Sequence, residues 1–243
     1  MSRGLGDVYK RQTKNKLKPK NCYLLNGVGL DLNQYKKLSQ KEILSKKKEL
    51  GLKENDFVVL MIAELNENKN QVQLIEAMEV LKDTYPEIKA ICVGEGDKLL
   101  ELQSEVKNRG LEGKVNFLGF RNDINELINI CNIGVLLSYR EGLPRNLMEL
   151  MACGKKMIAT NIRGCRDIVV DETVGELVEV GDYKATAKAI EEQYLYGDNE
   201  FIISKEIEKY DVKTINEGLR FIYKQLEEGG YYHKEGYAYS ANE

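Results

Sequence analysis

The 243-residue sequence has no tryptophan, three prolines and a single histidine, His233, which stands in a polar tail. The body of the chain therefore offers no histidine general base and no Ser–His–Asp arrangement. The five cysteines, Cys22, Cys92, Cys131, Cys153 and Cys165, include no C-x-x-C pair, so a zinc site is not expected. Cys92 lies in an apolar strand pattern, and Cys131 and Cys153 lie in helical ones. They read as buried, reduced thiols of a cytoplasmic protein. No D-x-D pair of carboxylates is present to hold a divalent ion, and no metal is expected. No apolar run approaches the roughly 18 residues that span a bilayer. The N-terminus is basic and polar, without the apolar centre of a secretory signal. A net charge of −3 argues against a dedicated nucleic-acid binder.

Hydrophobic residues make up 42%, enough for a sizeable core. The stretch around which the rest is organised runs from Ile133 to Thr160, IGVLLSYREGLPRNLMELMACGKKMIAT. It reads as an apolar strand, a loop with Glu141, a helix with Glu149, and a second apolar strand. Gly142 permits a sharp turn, and Pro144 has the fixed φ that suits a helix's first turn. The backbone N–H groups of Arg145, Asn146 and Leu147 would then point out of the helix N-terminus, where an anion can bind.

Residues 1–20 are basic and poor in apolar periodicity. Their GLGDVYKRQ segment resembles a translated sequencing-adapter scar, so they are expected to be non-native or disordered and the chain truncated at its N-terminus. Residues 21–227 carry the fold, and 228–243 form a polar tail. Strands are expected at Tyr23 to Leu25, Phe57 to Leu65, Ile88 to Val93, Val115 to Leu118, Lys156 to Thr160 and Gly175 to Val180. Helices are expected over Lys36 to Leu52, Gln71 to Tyr85, Lys98 to Arg109 and Asp123 to Cys131, with Asp123 as N-cap. Further helices are expected around Arg166 to Val170 and over Tyr183 to Tyr196, Ser204 to Tyr210 and Val212 to Leu226.

This alternation predicts an α/β, Rossmann-like parallel sheet with helices on both faces. Right-handed crossovers would place the strand-to-helix loops on one edge. That edge would collect Lys69, Arg121, Glu141, Glu149, Asn161, Arg163 and Arg166. A loop lysine and helix N-terminal amides suit a diphosphate, and two carboxylates suit hydroxyl-rich groups such as ribose and a sugar. Plainer readings stand beside these. Glu141 is also the acid expected near any helix N-terminus. Glu149 is also a solvated helix residue, Lys69 a surface lysine, and Gly27 and Gly29 simple turn residues.

The stretch SYREGLPRNLMELMACGKKMIAT resembles the Glu-x7-Glu signature of retaining glycosyltransferases of the GT-B fold, family 4 (glycosyl transferases group 1). NGVGLDLNQY, MIAELNENKNQVQLIEAM, VGEGDKLLELQ and VNFLGFRNDINELI resemble, in order, the loop that opens the C-terminal domain of that family and its first three units, in the exopolysaccharide and capsule variant. The likeness covers roughly Asn21 to Tyr223. It implies a donor-binding half that takes a nucleoside diphosphate sugar and, without cofactor or metal, passes the sugar to a glycan or lipid-linked acceptor with retention. Glu149 would bind the ribose and Glu141 the donor sugar. Lys69 and the Gly142, Leu143, Arg145, Asn146 and Leu147 segment would hold the diphosphate, and backbone at Phe120 and Arg121 would lie near the base. The acceptor would be bound by an N-terminal domain that this chain has no room for. The full-length enzyme would be cytoplasmic, with peripheral membrane association.

The sequence departs from the family where an arginine often precedes the lysine: Glu64 and Leu65 stand there, leaving Lys69 as the one cation carried over. The last helix, which in the family packs on the N-terminal domain, is expected to expose an apolar stripe. Two other readings remain open: a non-catalytic nucleotide-binding module that acts with a partner chain, and a nucleotide-sugar epimerase or hydrolase on the same fold. The scarcity of histidine disfavours the latter.

Overall fold

The computed structural model describes residues 23, 25–197 and 205–227. Expectations for Cys22, Leu24, Ser204, His233, residues 1–20 and the tail 228–243 fall outside them. Within the expected span 21–227, the described residues group into two compact units.

The larger unit, Asn33–Ser204, holds a six-stranded sheet in the order β3-β2-β1-β4-β5-β6 with every pairing parallel. The strands are β1 (Phe57–Ile62), β2 (Ile88–Val93), β3 (Val115–Phe117), β4 (Ile133–Leu136), β5 (Met157–Thr160) and β6 (Gly175–Val178). The helices are α1 (Gln40–Glu49), α2 (Gln71–Leu81), α3 (Leu99–Asn108), α4 (Ile124–Ile130), α5 (Arg145–Ala152), α6 (Arg163–Arg166) and α7 (Tyr183–Tyr196). Val58, Val59, Leu60 and Met61 are all buried, which requires cover on both faces of the sheet. Helices α2, α3 and α7 pack together, and α1, α4 and α5 form a second set. Crossovers of one hand separate these two sets onto opposite faces. The α/β, Rossmann-like reading therefore holds.

Several boundaries differ from expectation, each for a local reason. β1 ends at Ile62 and not at Leu65, because the chain turns away and the Leu65 N–H bonds to the Glu95 carbonyl. The first helix begins at Gln40 and not at Lys36. Ser39 and Glu42 close a capping box there, and Lys36 and Leu38 bond instead to asparagines of α4. Asp123 precedes α4 but makes no side-chain cap bond; its carboxylate binds Arg121 and Lys46. α6 covers Arg163–Arg166 and not Arg166 to Val170, so it starts almost directly after β5. Cys92, Cys131, Cys153 and Cys165 are free and buried, as expected, and burial pushes the Cys92 thiol up to about 12.

In the second unit, the Leu30 N–H bonds the Tyr210 carbonyl at 2.8 Å, and the Val212 N–H bonds the Leu30 carbonyl at 2.8 Å. A strand was expected at Tyr23 to Leu25, but Tyr23 and Leu25 belong to no regular element. Helix α8 (Val212–Glu227) buries Ile215 and leaves Phe221 and Tyr223 exposed. Among the described residues, no helix is long and apolar enough to cross a membrane.

Candidate functional site

β1 and β4 are neighbours in the sheet, yet their connections run in opposite directions, β1 toward β2 and β4 toward β5. The loops after them must therefore part, and in open parallel sheets the crevice at such a point takes ligands. Here the two loops are bonded across the gap. The Tyr139 N–H donates to the Asn68 carbonyl at 2.8 Å. Asn68 Nδ2 donates to the Arg140 carbonyl at 3.0 Å, and Asn70 Nδ2 to the Leu137 carbonyl at 3.2 Å.

Asn70 stands at φ 55, ψ 47, in the left-handed region, the one non-glycine residue with positive φ among the described residues. Asparagine tolerates this conformation better than most residues. It reverses the chain between the short 3₁₀ turn Glu67–Lys69 and α2. The Asn66 side chain accepts the Lys69 N–H at 3.1 Å. With its backbone fixed in this way, Lys69 meets the other loop: its Nζ lies 2.5 Å from Glu141 Oε1. Ser138 Oγ donates to the same oxygen at 2.7 Å. The buried Thr160, at the end of β5, in turn bonds the Ser138 carbonyl at 2.6 Å.

Helix α5 opens beside this pair. Pro144 is its cap residue, at φ −72 and ψ 113, one position earlier than the first-turn place expected for it. The N–H groups of Arg145 and Asn146 have no carbonyl a turn back to bond. The Leu147 N–H, expected to be open as well, is bonded to Asn146 Oδ1 at 2.9 Å. Asn146 Nδ2 bonds the Ile62 carbonyl at 2.7 Å, tying the start of α5 to the end of β1. A Cβ on Gly164 would lie 2.4 Å from the Gly142 carbonyl oxygen, so only glycine lets α6 approach the Glu141–Gly142 backbone so closely.

Glu149, in the second turn of α5, is not a solvated helix residue: its side chain is 11% exposed. Oε1 accepts both Tyr35 Oη–H at 2.8 Å and Arg145 Nε–H at 2.9 Å. Burial and the Glu149 charge push the Tyr35 phenol up to about 12. Both glutamates thus fill Oε1 with two donors from the protein. Among the described residues, no hydrogen bond falls on either Oε2.

The remaining expected residues are dispersed. Phe120 is 67% exposed on the loop after β3. The Arg121 side chain is committed to Asp123 and Glu49, and Arg166 to Asn161. Arg163 is the first residue of α6. Glu64 is exposed and Leu65 fully buried, so neither supplies a second cation. Sequence reasoning missed Tyr35, Ser138 and Gly164. The asparagines alternating around Lys69 in N-E-N-K-N were the one local signal of a built loop. Among the described residues, no group of three or more His, Cys, Asp or Glu side chains converges to hold a metal ion.

The profile of the family described as "Glycosyl transferases group 1" matches residues 42–209, well over half of the chain. The chain belongs to that family. EpsD of Bacillus subtilis (strain 168), classed with the glycosyltransferases, is 38% identical over 170 residues, covering 70% of this chain and 45% of EpsD. The UDP-Gal:α-D-GlcNAc-diphosphoundecaprenol α-1,3-galactosyltransferase of Escherichia coli is 31% identical, over 67% of this chain and 42% of its own length. Among solved structures, Anabaena HepE in complex with UDP and glucose superposes with a TM-score of 0.74 at 30% identity, over 82% of this chain and 55% of HepE. The chain thus spans about half the length of these relatives, and its sheet is of the Rossmann-like kind found in GT-B glycosyltransferases.

Proposed function

We propose that this chain is the donor-binding half of a retaining glycosyltransferase that passes a hexose-type sugar from a nucleoside diphosphate sugar to a glycan or lipid-linked acceptor in surface polysaccharide assembly. The observation that carries this reading is the Lys69–Glu141 pair at the switch point, beside the open N-terminus of α5. Lys69 and the amides of the Gly142 to Leu147 segment hold the diphosphate, chiefly those of Arg145 and Asn146. Glu141 Oε2 takes hydroxyls of the donor sugar, and Glu149 Oε2 those of the ribose. Backbone at Phe120 and Arg121 lies near the base. The HepE complex with UDP makes uridine the first base to test.

The chemistry follows from charge. As the glycosidic bond breaks, negative charge grows on the leaving diphosphate. Lys69 and the positive end of α5 are fixed in place to stabilise it without a metal. The leaving phosphate oxygen accepts the proton of the incoming hydroxyl on the same face, which yields retention and requires no histidine. The E. coli relative acts on a diphosphoundecaprenol-linked sugar, which supports a lipid-linked acceptor. In this proposal that acceptor is met at the cytoplasmic face of a membrane. An acceptor domain supplied by the rest of the protein orients that hydroxyl. Orientation contributes much of the rate, so this chain alone binds donor and transfers little.

Calorimetric titration with UDP, GDP and ADP, with Glu149→Ala alongside, tests the site. Binding of one nucleotide that weakens in the variant is the expected result. No binding by a folded chain, or equal binding by the variant, overturns it. Sustained sugar transfer by the chain alone would remove the division into halves.

A further inference from the structure

We propose that Tyr35, carried on a strap held by two asparagines of α4, is a positioning residue for the ribose-binding carboxylate: its hydroxyl occupies Glu149 Oε1 and leaves Oε2 as the oxygen presented to the ribose diol. The inference rests on the reading of Glu149 given above and extends it to a residue 114 positions away.

Three observations carry it. First, the segment bearing Tyr35 is fixed independently of its hydroxyl. The Lys36 N–H donates to Asn125 Oδ1 at 3.0 Å and the Leu38 N–H to Asn129 Oδ1 at 2.9 Å. Asn129, 4% exposed, returns a bond from Nδ2 to the Lys36 carbonyl at 2.9 Å. Asn125 and Asn129 are one turn apart on α4, so they grip an extended strap at alternate residues. The strap needs no phenol to hold its course, and the one hydrogen bond the phenol donates goes to Glu149.

Second, the geometry partitions the carboxylate. Each carboxylate oxygen has about two acceptor positions. Tyr35 and Arg145 fill those of Oε1, and a ligand diol is left to gather on Oε2. Arg145 is 59% exposed at its side chain, where water competes for it, whereas Tyr35 is half-buried on a pinned strap. Tyr35 is therefore the donor that sets the carboxylate's rotation. Third, burial and the adjacent Glu149 charge raise the phenol to about 12, so it remains protonated and a donor throughout the working pH range.

The test compares Tyr35→Phe with the wild-type chain. UDP, GDP and ADP and their 2′,3′-dideoxy counterparts, which lack both ribose hydroxyls, are titrated against each. For the nucleotide that binds, the wild type should prefer the ribose form by about 10- to 100-fold, the range for hydrogen bonds to a charged group. Tyr35→Phe should weaken the ribose form by about 5- to 10-fold, leave the dideoxy form unchanged, and so compress the preference. Equal weakening of both forms would mean that Tyr35 merely supports the fold, and unchanged binding of both would mean that its hydroxyl does nothing. Either result overturns the positioning role while the reading of Glu149 stands. A wild-type chain that binds no nucleotide, or that shows no ribose preference, takes down that reading and this inference together. The substitution removes one oxygen from a half-buried ring, and near-ultraviolet circular dichroism checks that the variant keeps the wild-type fold.

Discussion

Lys69 Nζ lies 2.5 Å from Glu141 Oε1, so the cation proposed for a diphosphate and the carboxylate proposed for a sugar are already each other's partner. Both side chains are largely shielded from water, at 23% and 11% exposure, which strengthens the pairing relative to a surface pair. A diphosphate must draw on a lysine that is already neutralised. Lysine has three donors, and Ser138 keeps one lone pair of Oε1 occupied whatever Lys69 does.

Opposite effects follow for the two halves of the pair. Lys69→Met should weaken UDP binding by about 10- to 100-fold, the value of a charge-assisted contact to phosphate. Glu141→Gln removes the internal counter-charge, so UDP should bind several-fold tighter, the reverse of the lysine variant. Uridine, which has no phosphate, should bind all three forms alike. Calorimetry with UDP and uridine decides this, and a Glu141→Gln chain that binds UDP less well than wild type would contradict the shared role of Lys69.

Gly164 offers a test of the loop. The Cβ of an alanine there would lie 2.4 Å from the Gly142 carbonyl oxygen and 3.0 Å from the Glu141 carbonyl carbon. Both atoms are backbone, so the Glu141–Gly142 segment must move. Overpacking of this kind costs about 1–3 kcal/mol. Gly164→Ala should lower the unfolding free energy measured in urea by that amount and also weaken binding of UDP-sugar more than binding of UDP, because Glu141 is the group displaced. Equal loss for both ligands would place the disturbance elsewhere.

These close contacts mark where the sequence stopped being readable. The sheet was legible because its strands are short apolar runs between turn residues: Ile88–Val93 and the helix Tyr183–Tyr196 have the expected bounds. Lys69, Glu141 and Glu149 were legible as residue types on one edge, since the strand–loop–helix pattern alone assigns them to it. The Lys69–Glu141 contact spans 72 positions and the Tyr35–Glu149 contact 114, and no local periodicity encodes either. α6 was misplaced because Val169 and Val170 extend the apolar pattern, while the feature that fixes its start, Gly164 against Gly142, is a backbone packing event. The cap at Asp123 was misread because local preference lost to two cations brought in by the fold.

Asn70 separates backbone need from side-chain need. Asn70→Gly keeps the left-handed conformation at φ 55 and loses the bonds to Gln73 and to the Leu137 carbonyl. Asn70→Ala loses those bonds and must also hold a conformation costly for alanine, by about 1–2 kcal/mol. The alanine variant should therefore be less stable than the glycine variant by roughly that amount, measured by urea unfolding. Both should weaken UDP binding, because the loop carrying Lys69 is bonded to the β4 loop through this side chain. Equal stability of the two variants would mean that the turn relaxes and imposes no conformational demand.

Asp123 governs behaviour in acid. Hydrogen bonds from Arg121, then Lys46 at 2.8 Å, hold its carboxylate well below the usual range. The unfolded chain has Asp near 3.9, so it takes up the proton first as pH falls. The stabilisation is therefore present in full above about pH 5 and drains away as pH drops through 4 toward the folded value. Asp123→Asn has no such group to protonate. Between pH 7 and pH 3, the urea midpoint of wild type should fall further than that of Asp123→Asn, since all other carboxylates are common to both. The difference should shrink in high salt only partly, because Lys46 and Asp123 are 11% and 18% exposed at their side chains and are screened less than a surface pair. Parallel acid limbs for the two proteins would show that the Arg121–Asp123–Lys46 contacts form equally in the unfolded chain or contribute nothing. The cluster would then be no reason for the fold to have overridden the cap that the sequence favours at this residue.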